Sequence, residues 1–327
     1  MIDCRLRNSS GLRFLLIAAC IFLLQQPAAA DDPIRLRVST ISSIDTAPLE
    51  AAKAQGYFAD EGLSVDTTPM VGGAVGLPAL AAGQVQIANS NLVSIILGAR
   101  QGLDFTIVAA GDSTRDAPPD LAGLVVASDS AIKTAQDLQG KKIGVNTRNN
   151  IIWLFARGWL AKEGVDPAKA IYREVPFPQM VDGVGNGQLD AAFVVEPFLS
   201  LGLKSGTVKL LAWPYSAVQQ RIPISMFAAS KSYADAHPDH ILRFVRAYNR
   251  GVDWVDQNEG TAAFFALIAD YTHLSIDKVR ELVPPLFPKT IDPAQVGLVI
   301  DLMRAQGILD GPFDPASVRY STVIVPP

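Results

Sequence analysis

The chain has 327 residues, 28 Lys and Arg against 32 Asp and Glu, and 49% hydrophobic side chains, enough for two lobes of ordinary domain size. The slight acidity and the lack of a basic run exclude a nucleic-acid or membrane-surface binder. Both cysteines, Cys4 and Cys20, lie in the first thirty residues, so the rest of the chain excludes a disulfide framework, a thiolate metal site and a cysteine nucleophile together.

In chain order the first segment reads as a leader. Arg5, Arg7 and Arg13 supply positive charge, residues 12–24 (LRFLLIAACIFLL) form an apolar core, and Pro27-Ala28-Ala29-Ala30 offers small residues for cleavage. The apolar core falls short of the roughly 20 residues that span a bilayer, which predicts a secretory signal peptide over 1–30. Ile17-Ala18-Ala19-Cys20 resembles a lipidation box, yet the apolar run continues past Cys20 to Leu24 and favours cleavage after Ala30. The mature chain then has 327 − 30 = 297 residues, with 28 − 3 = 25 basic and 32 − 1 = 31 acidic side chains.

From residue 34 short β runs alternate with helical stretches. IRLRVST (34–40) reads as a strand and PLEAAKAQGYF (48–58) as a helix opened by Pro48 and closed near Gly56. LSVDTT (63–68) is a second strand, Gly72-Gly73 opens a helix through Ala82, and VQIANS (85–90) is a third strand. A helix over 92–102 leads to a strand, FTIVAAG (105–111). Beyond Pro118-Pro119 come strands over 121–128, 142–147, 170–175, 189–195 and 207–213, with helices over 151–163 and up to Gly187. This alternation predicts mainly parallel, doubly wound sheets. From Ser230 onward nearly everything reads as amphipathic helix (239–257, 261–271, 276–286, 293–307) packed on existing lobes, with Trp254, Phe264 and Phe265 as core. GQVQIANSN (83–91) and GQLDAAFVVEPF (187–198) echo each other 187 − 83 = 104 residues apart, which suggests two α/β lobes of related design.

In such sheets ligands sit outside the carboxyl ends of the strands, and the strand ends here are more polar than a core requires. They carry Ser42, Ser43, Asp45 and Thr46; then Gly72 and Gly73; then Asn89, Ser90 and Asn91; then Asp112, Ser113, Thr114 and Arg115; and finally Asn146, Thr147, Arg148, Asn149 and Asn150. Helix N-termini present unpaired N–H groups and a partial positive charge, glycines let a ligand approach the main chain, and Arg148 offers a bidentate fork for an oxyanion. Ser, Thr, Asn and Asp at these places also serve as helix caps and turn formers. Phe177, Phe198, Trp213 and Tyr215 offer an apolar wall or simply core.

ALAAGQVQIA (79–88), AKAQGYFADEGLSVD (52–66), DLQGKKIGV (137–145) and GQLDAAFVVEPF together resemble the periplasmic solute-binding proteins of ABC importers, of the nitrate, sulfonate and taurine type that also includes pyrimidine-precursor binders. The resemblance implies a type II periplasmic binding protein fold: two doubly wound α/β lobes with a ligand cleft between them and extra C-terminal helices. It places 31–114 plus 214–327 in lobe 1 and 115–213 in lobe 2, with crossings near 112–119 and 213–221. Glu196-Pro197 matches a Glu-Pro pair at the cleft wall, and Gly72-Gly73-Ala74 stands where a Gly-Ser-Ser helix start is common, leaving main-chain N–H groups as donors. The implied function is capture of a small, organic, anionic nutrient without cofactor or metal. Its site is drawn from Ser42, Ser43, Asp45, Thr46, Gly73, Ala74, Asn89, Ser90, Thr114, Arg115, Asn146, Thr147, Arg148, Asn149, Glu196 and Trp213. The implied setting is periplasmic, as a monomer that delivers to a permease and its ATPase in the inner membrane. Enzymes of pyrimidine synthesis share the fold but resemble proteins that need a cysteine-rich segment and an active-site histidine; here His237, His240 and His273 all fall in the late helices. No G-x-S-x-G elbow is present. A sensor that reports the same cleft to a kinase is the third alternative.

Overall fold

In a computed structural model of the chain, which describes Met1 and residues 32–41, 43–70 and 72–318, the alternating segments build two five-stranded sheets. The predicted leader and Ser42 lie outside the described residues. The unit that begins at Ile34 carries both sheets. The first contains β1 (Ile34–Ile41), β2 (Leu63–Met70), β3 (Ile87–Asn91), β4 (Phe105–Ala110) and β10 (Ser225–Ser230), in the order β2-β1-β3-β10-β4. The second contains β5 (Ala122–Ala127), β6 (Lys142–Val145), β7 (Ile171–Glu174), β8 (Ala191–Val195) and β9 (Val208–Ala212), in the order β7-β6-β8-β5-β9. Every residue of β3, β4 and β8 is buried, as expected of apolar runs covered by helices on both faces. The segments that echo in sequence supply β3 and β8, and each stands third in its sheet.

The sheets are mixed where the alternation predicts them mainly parallel. β1 runs parallel to β2 and β3, and β6 parallel to β7 and β8. β10 is antiparallel to β3 and β4, and β5 antiparallel to β8 and β9. The cause is topological: β5 and β10 are the strands delivered when the chain passes from one sheet to the other, and each enters its new sheet in the reverse direction. β10 itself is absent from the sequence reading, because SMFAAS is short, fully apolar at its centre and without period-two alternation.

Helices cover the faces. α1 (Ala47–Ala54) and α2 (Tyr57–Asp60) are separate, because Gly56 turns left-handed at φ 74° and ends the single helix expected over 48–58. α3 (Gly73–Ala81), α4 (Leu92–Arg100), α5 (Ile151–Lys162), α6 (Phe177–Gly185), α7 (Phe198–Lys204) and α8 (Pro214–Val218) follow the strands. α9 (Lys231–Ala236), α10 (Pro238–Asn258), α11 (Ala262–Thr272), α12 (Ile276–Val279) and α13 (Pro293–Ala305) form the helical tail. α12 stops short of the helix expected through 286, since Pro284-Pro285 cannot continue it, and Leu286 instead pairs with Ser113. One face of the first sheet packs Phe227 on Tyr248 of α10, with ring centroids 4.8 Å apart. α10 lies so close to α1 that a Cβ on Gly251 would meet the Pro48 carbonyl at 2.0 Å. A larger core joins the other face to the second sheet, where Tyr215 packs against Phe155 and Phe193 at 5.2 and 5.0 Å. Among the described residues no helix is long and apolar enough to cross a membrane.

Candidate functional site

The carboxyl ends of the two sheets face each other, and asparagines join them. Asn91, the last residue of β3, caps α4 by accepting from Ser94 N at 3.0 Å. Its Oδ1 also accepts from Ile151 N, the first amide of α5, at 3.2 Å. One side-chain oxygen is thus shared by helix starts that follow strands of different sheets. Asn150 caps α5 through Trp153 N at 3.0 Å and donates its Nδ2 to Asn146 Oδ1 at 2.7 Å. The start of α3 closes on this group: a Cβ on Gly72 would stand 3.0 Å from Asn146 Nδ2, and one on Gly73 would stand 2.8 Å from Ser90 Cα. Only glycine fits such backbone contact.

Between these ends lies a narrow cavity of about 40 Å³, room for a water-sized guest or two. Its polar lining is Asp45, Asn91, Asn146, Asn150 and Ser225, with Gly73 at its edge. Ile41, Leu121, Ile151, Ile152, Phe177, Val195, Tyr215 and Ile224 form the apolar wall. Wider depressions lie elsewhere on the described residues, four of them of about 360 to 830 Å³. One of about 390 Å³ is lined by Asp112, Arg221 and Leu286, and one of about 830 Å³ by Ala74, Arg148, Asn149 and Trp153. The small cavity gathers strand ends of both sheets and is the candidate site.

Its electrostatics are set by acids. Asp45 is 7% exposed and its Oδ1 has no hydrogen-bond partner among the described residues. Burial pushes its carboxyl up to about 6. Asp112 is held well above the ordinary carboxylate range, by burial first and by the charge of Asp45 second. Its Oδ1 accepts from the Ser225 hydroxyl while its Oδ2 is unpartnered. Glu196, fully buried, is pushed up to about 7, again by burial, although Ser200 Oγ (2.6 Å), Ser200 N (3.2 Å) and Val283 N (3.2 Å) all donate to it. Asp120 is a contrast: Ser216 N and Oγ satisfy both its oxygens. Among the described residues that line the cavity none is Lys, Arg or His.

The strand-end residues named from sequence divide into groups. Asp45, Gly73 and Asn146 line the cavity. Ser43, Asn89 and Ser90 are buried, Ser90 Oγ and Asn89 Oδ1 have no partner among the described residues, and the Ser43 hydroxyl bears on Asp45, lowering its carboxyl against the effect of burial. The Thr46 hydroxyl donates to the Ser43 carbonyl at 3.2 Å. Glu196 lies at the end of β8, clamped to residue 283. Thr147 is half-buried after Asn146. Arg148 is drawn elsewhere: its guanidinium donates to the Tyr172 carbonyl at 2.9 Å and its main-chain N–H to Glu174 at 2.6 Å, so it lines the wide depression with Ala74 and Asn149. Thr114 and Arg115 belong to the connector between sheets. Thr114 pairs with Ile222, and Arg115 bonds the Pro284 carbonyl at 2.9 Å and Glu259 at 2.6 Å. Trp213 is half-buried against the larger core. Ser225 escaped the sequence reading because its strand did. Asn91 and Asn150 stood among the polar strand ends, where Asn also serves as a cap, and the second role of Asn91 across the sheets is a tertiary fact.

The connectors pair with each other. Ser113 exchanges main-chain bonds with Leu286 at 2.8 and 2.9 Å, Thr114 N donates to the Ile222 carbonyl at 3.1 Å, and Ile224 N to the Asp112 carbonyl at 2.9 Å. Both passages between the sheets therefore run side by side behind the cavity.

Comparison with known proteins bears on this geometry. A candidate aliphatic sulfonates-binding protein of Bacillus subtilis (strain 168) is 25% identical over 281 residues, covering 83% of this chain and 82% of that protein. The taurine-binding periplasmic protein of Escherichia coli (strain K12) is 25% identical over 240 residues, 72% of this chain and 69% of its own. The alkanesulfonate-binding protein from Xanthomonas axonopodis pv. citri bound to MOPS superposes with a TM-score of 0.73 at 18% identity, over 90% of this chain and 99% of that one. These homologues are substrate-binding proteins, and the fold with its two mixed sheets is that of the periplasmic binding proteins. The profile of the NMT1/THI5 like family matches residues 43–262, more than half of the sequence, and the chain belongs to that family.

Proposed function

We propose that this chain is the extracytoplasmic solute-binding component of an ABC importer, which captures a small organic nutrient by closure of two lobes about paired connectors. The lobes are 31–114 with 214–327, and 115–213. The observation that carries the reading is the shared oxygen of Asn91, which bonds α4 and α5 at once and closes the strand ends over a common cavity. A cavity of about 40 Å³ holds no ten-atom solute, so entry of one requires the lobes to part and then to close on it. A ligand that binds the closed form better than the open one drives that change by its differential affinity.

The start of α3, whose cap Gly72 supplies no side-chain bond, borders the cavity and suits a negative or polar end of the solute. The relatives make sulfonates, taurine and nitrate the first solutes to try. The protein works in the periplasm as a monomer after cleavage behind Ala30, delivers to a permease and its ATPase, and performs no turnover. Purified mature protein is expected to show a higher melting temperature and a smaller radius of gyration with one such solute, and to release the solute unchanged. No shift across the whole panel, with scattering curves that superpose, would sink the proposal.

A further inference from the structure

The polar atoms left over around the cavity, among the described residues, include carboxylate and amide oxygens that call for a donor. At α4 and α5 three first-turn amides are already taken, Ser94 N and Ile151 N by Asn91 and Trp153 N by Asn150, which leaves the start of α3 for an anionic group. Ser225 is occupied too, since its hydroxyl donates to Asp112 and its oxygen accepts from Asn89 Nδ2 at 3.4 Å and Asp112 N at 3.3 Å. Among the described residues Asp45 Oδ1, on the cavity lining, is buried without a partner, as are Asn89 Oδ1 and Asp112 Oδ2 on two residues bonded to the lining Ser225. Asp45 is more than nine-tenths buried and borders the cavity, and no Lys, Arg or His is among the described residues that line it.

A buried carboxylate without a counter-charge is a strained arrangement, relieved either by taking up a proton or by a cation that enters with the guest. Nearby carboxyls sharpen the demand, because Asp112 and Glu196 both feel the charge of Asp45. An anionic group placed against Asp45 would repel it. A protonated nitrogen there supplies the missing charge and N–H donors for the orphaned oxygens of Asp45 and Asn89 in one step. We propose that the cleft selects solutes bearing a protonated nitrogen, an ammonium or amidinium group seated on Asp45, and that any acidic group of the same molecule lies toward the start of α3. This rests on the reading of the chain as a solute-binding protein and names the chemical class that its site takes.

The test uses matched probes that differ in this group alone: taurine against isethionate, 3-aminopropanesulfonate against 3-hydroxypropanesulfonate, β-alanine against 3-hydroxypropionate, and benzamidine against benzamide. Each is titrated calorimetrically into the mature wild-type protein and into Asp45→Asn at pH 7.5. At least one aminated member is expected to bind more than tenfold tighter than its neutral counterpart, and Asp45→Asn to erase that preference while its circular dichroism stays native. Two results overturn the assignment: a hydroxylated or purely anionic probe binding as tightly as its aminated twin, or Asp45→Asn leaving or strengthening the affinity. Failure of every aminated probe overturns it as well. Capture by lobe closure is judged separately, by whether ethanesulfonate, nitrate or any other probe shrinks the radius of gyration, so loss of the nitrogen assignment leaves that reading standing or falling by its own measurement.

Discussion

Replacing Asp45 with Asn isolates the electrostatic burden of the cleft in the absence of any solute. The side chain keeps its shape and loses its charge. Burial raises the carboxyl from 3.8 to about 6 in the native state. At ~1.4 kcal/mol per pH unit of displacement, a shift of about two units corresponds to roughly 3 kcal/mol. The native value lies above the unfolded one, so the stability contributed by this carboxyl is fully present below about pH 4 and is lost as pH rises through about 6. Asn does not titrate, and the variant should therefore gain on the wild type by about 2 to 3 kcal/mol between pH 4 and pH 8. Only the difference between the proteins is informative. Other carboxyls run the opposite way, such as Asp137, lowered by the main-chain N–H of Lys133 first and by Thr134 next. Urea unfolding followed by tryptophan fluorescence at pH 4, 6 and 8 measures the difference directly. A stability gap that stays flat across this range, or that moves in favour of the wild type as pH rises, would refute the claim that Asp45 is ionised there without a counter-charge.

Other consequences can be checked with the same tools. Removing Glu196 as Glu196→Ala leaves Ser200 N and Val283 N without their side-chain acceptor and turns Ser200 Oγ to the Glu281 carbonyl alone, and should cost about 2 to 3 kcal/mol in urea unfolding, with Glu196→Gln milder. Gly251→Ala forces a methyl group to within 2.0 Å of the Pro48 carbonyl and should destabilise by about 2 kcal/mol or more, despite the better helix propensity of Ala. Gly297→Ala, in α13 with nothing within 4 Å of the new methyl, should instead stabilise by up to about 1 kcal/mol. Asn91→Ala removes a cap worth about 1 kcal/mol together with the bond to Ile151, and should raise the radius of gyration of the solute-free protein in small-angle scattering.

Much of the fold is readable because it rests on local rules. Asn91, Asn150, Thr261 and Asp292 cap the helices that follow them, and Pro48, Pro214, Pro238 and Pro293 sit in first turns. What escapes is whatever depends on a distant partner. The direction of β5 and β10 follows from where the chain has come from, which no period of apolar residues encodes. Arg148 looks from its chemistry like an oxyanion fork, yet the Tyr172 carbonyl on the neighbouring strand sets where the side chain goes. Asp45 and Asp112 look like turn formers. Their importance lies in burial without a counter-ion, a property of the assembled lobes and not of any short stretch.

The division of labour between asparagine and aspartate at the strand ends explains how one cleft can be both adhesive and selective. An Asn cap carries an acceptor and a donor, so Asn91 satisfies the start of α4 and still bonds the start of α5 across the cleft, while Asn150 caps α5 and donates to Asn146, neither bringing charge into the site. The positive ends of α4 and α5 are consumed in this way by neutral oxygens. What remains to set the local potential is Asp45, whose Oδ1 has no partner among the described residues and whose cavity holds no Lys, Arg or His among them. On the proposed closure mechanism, parting the lobes would rehydrate Asp45 and relieve it, and closing them on nothing would not. A guest that brings the missing charge therefore lowers the closed form selectively, and that difference between the two forms, not tightness of contact as such, is what a closure mechanism needs.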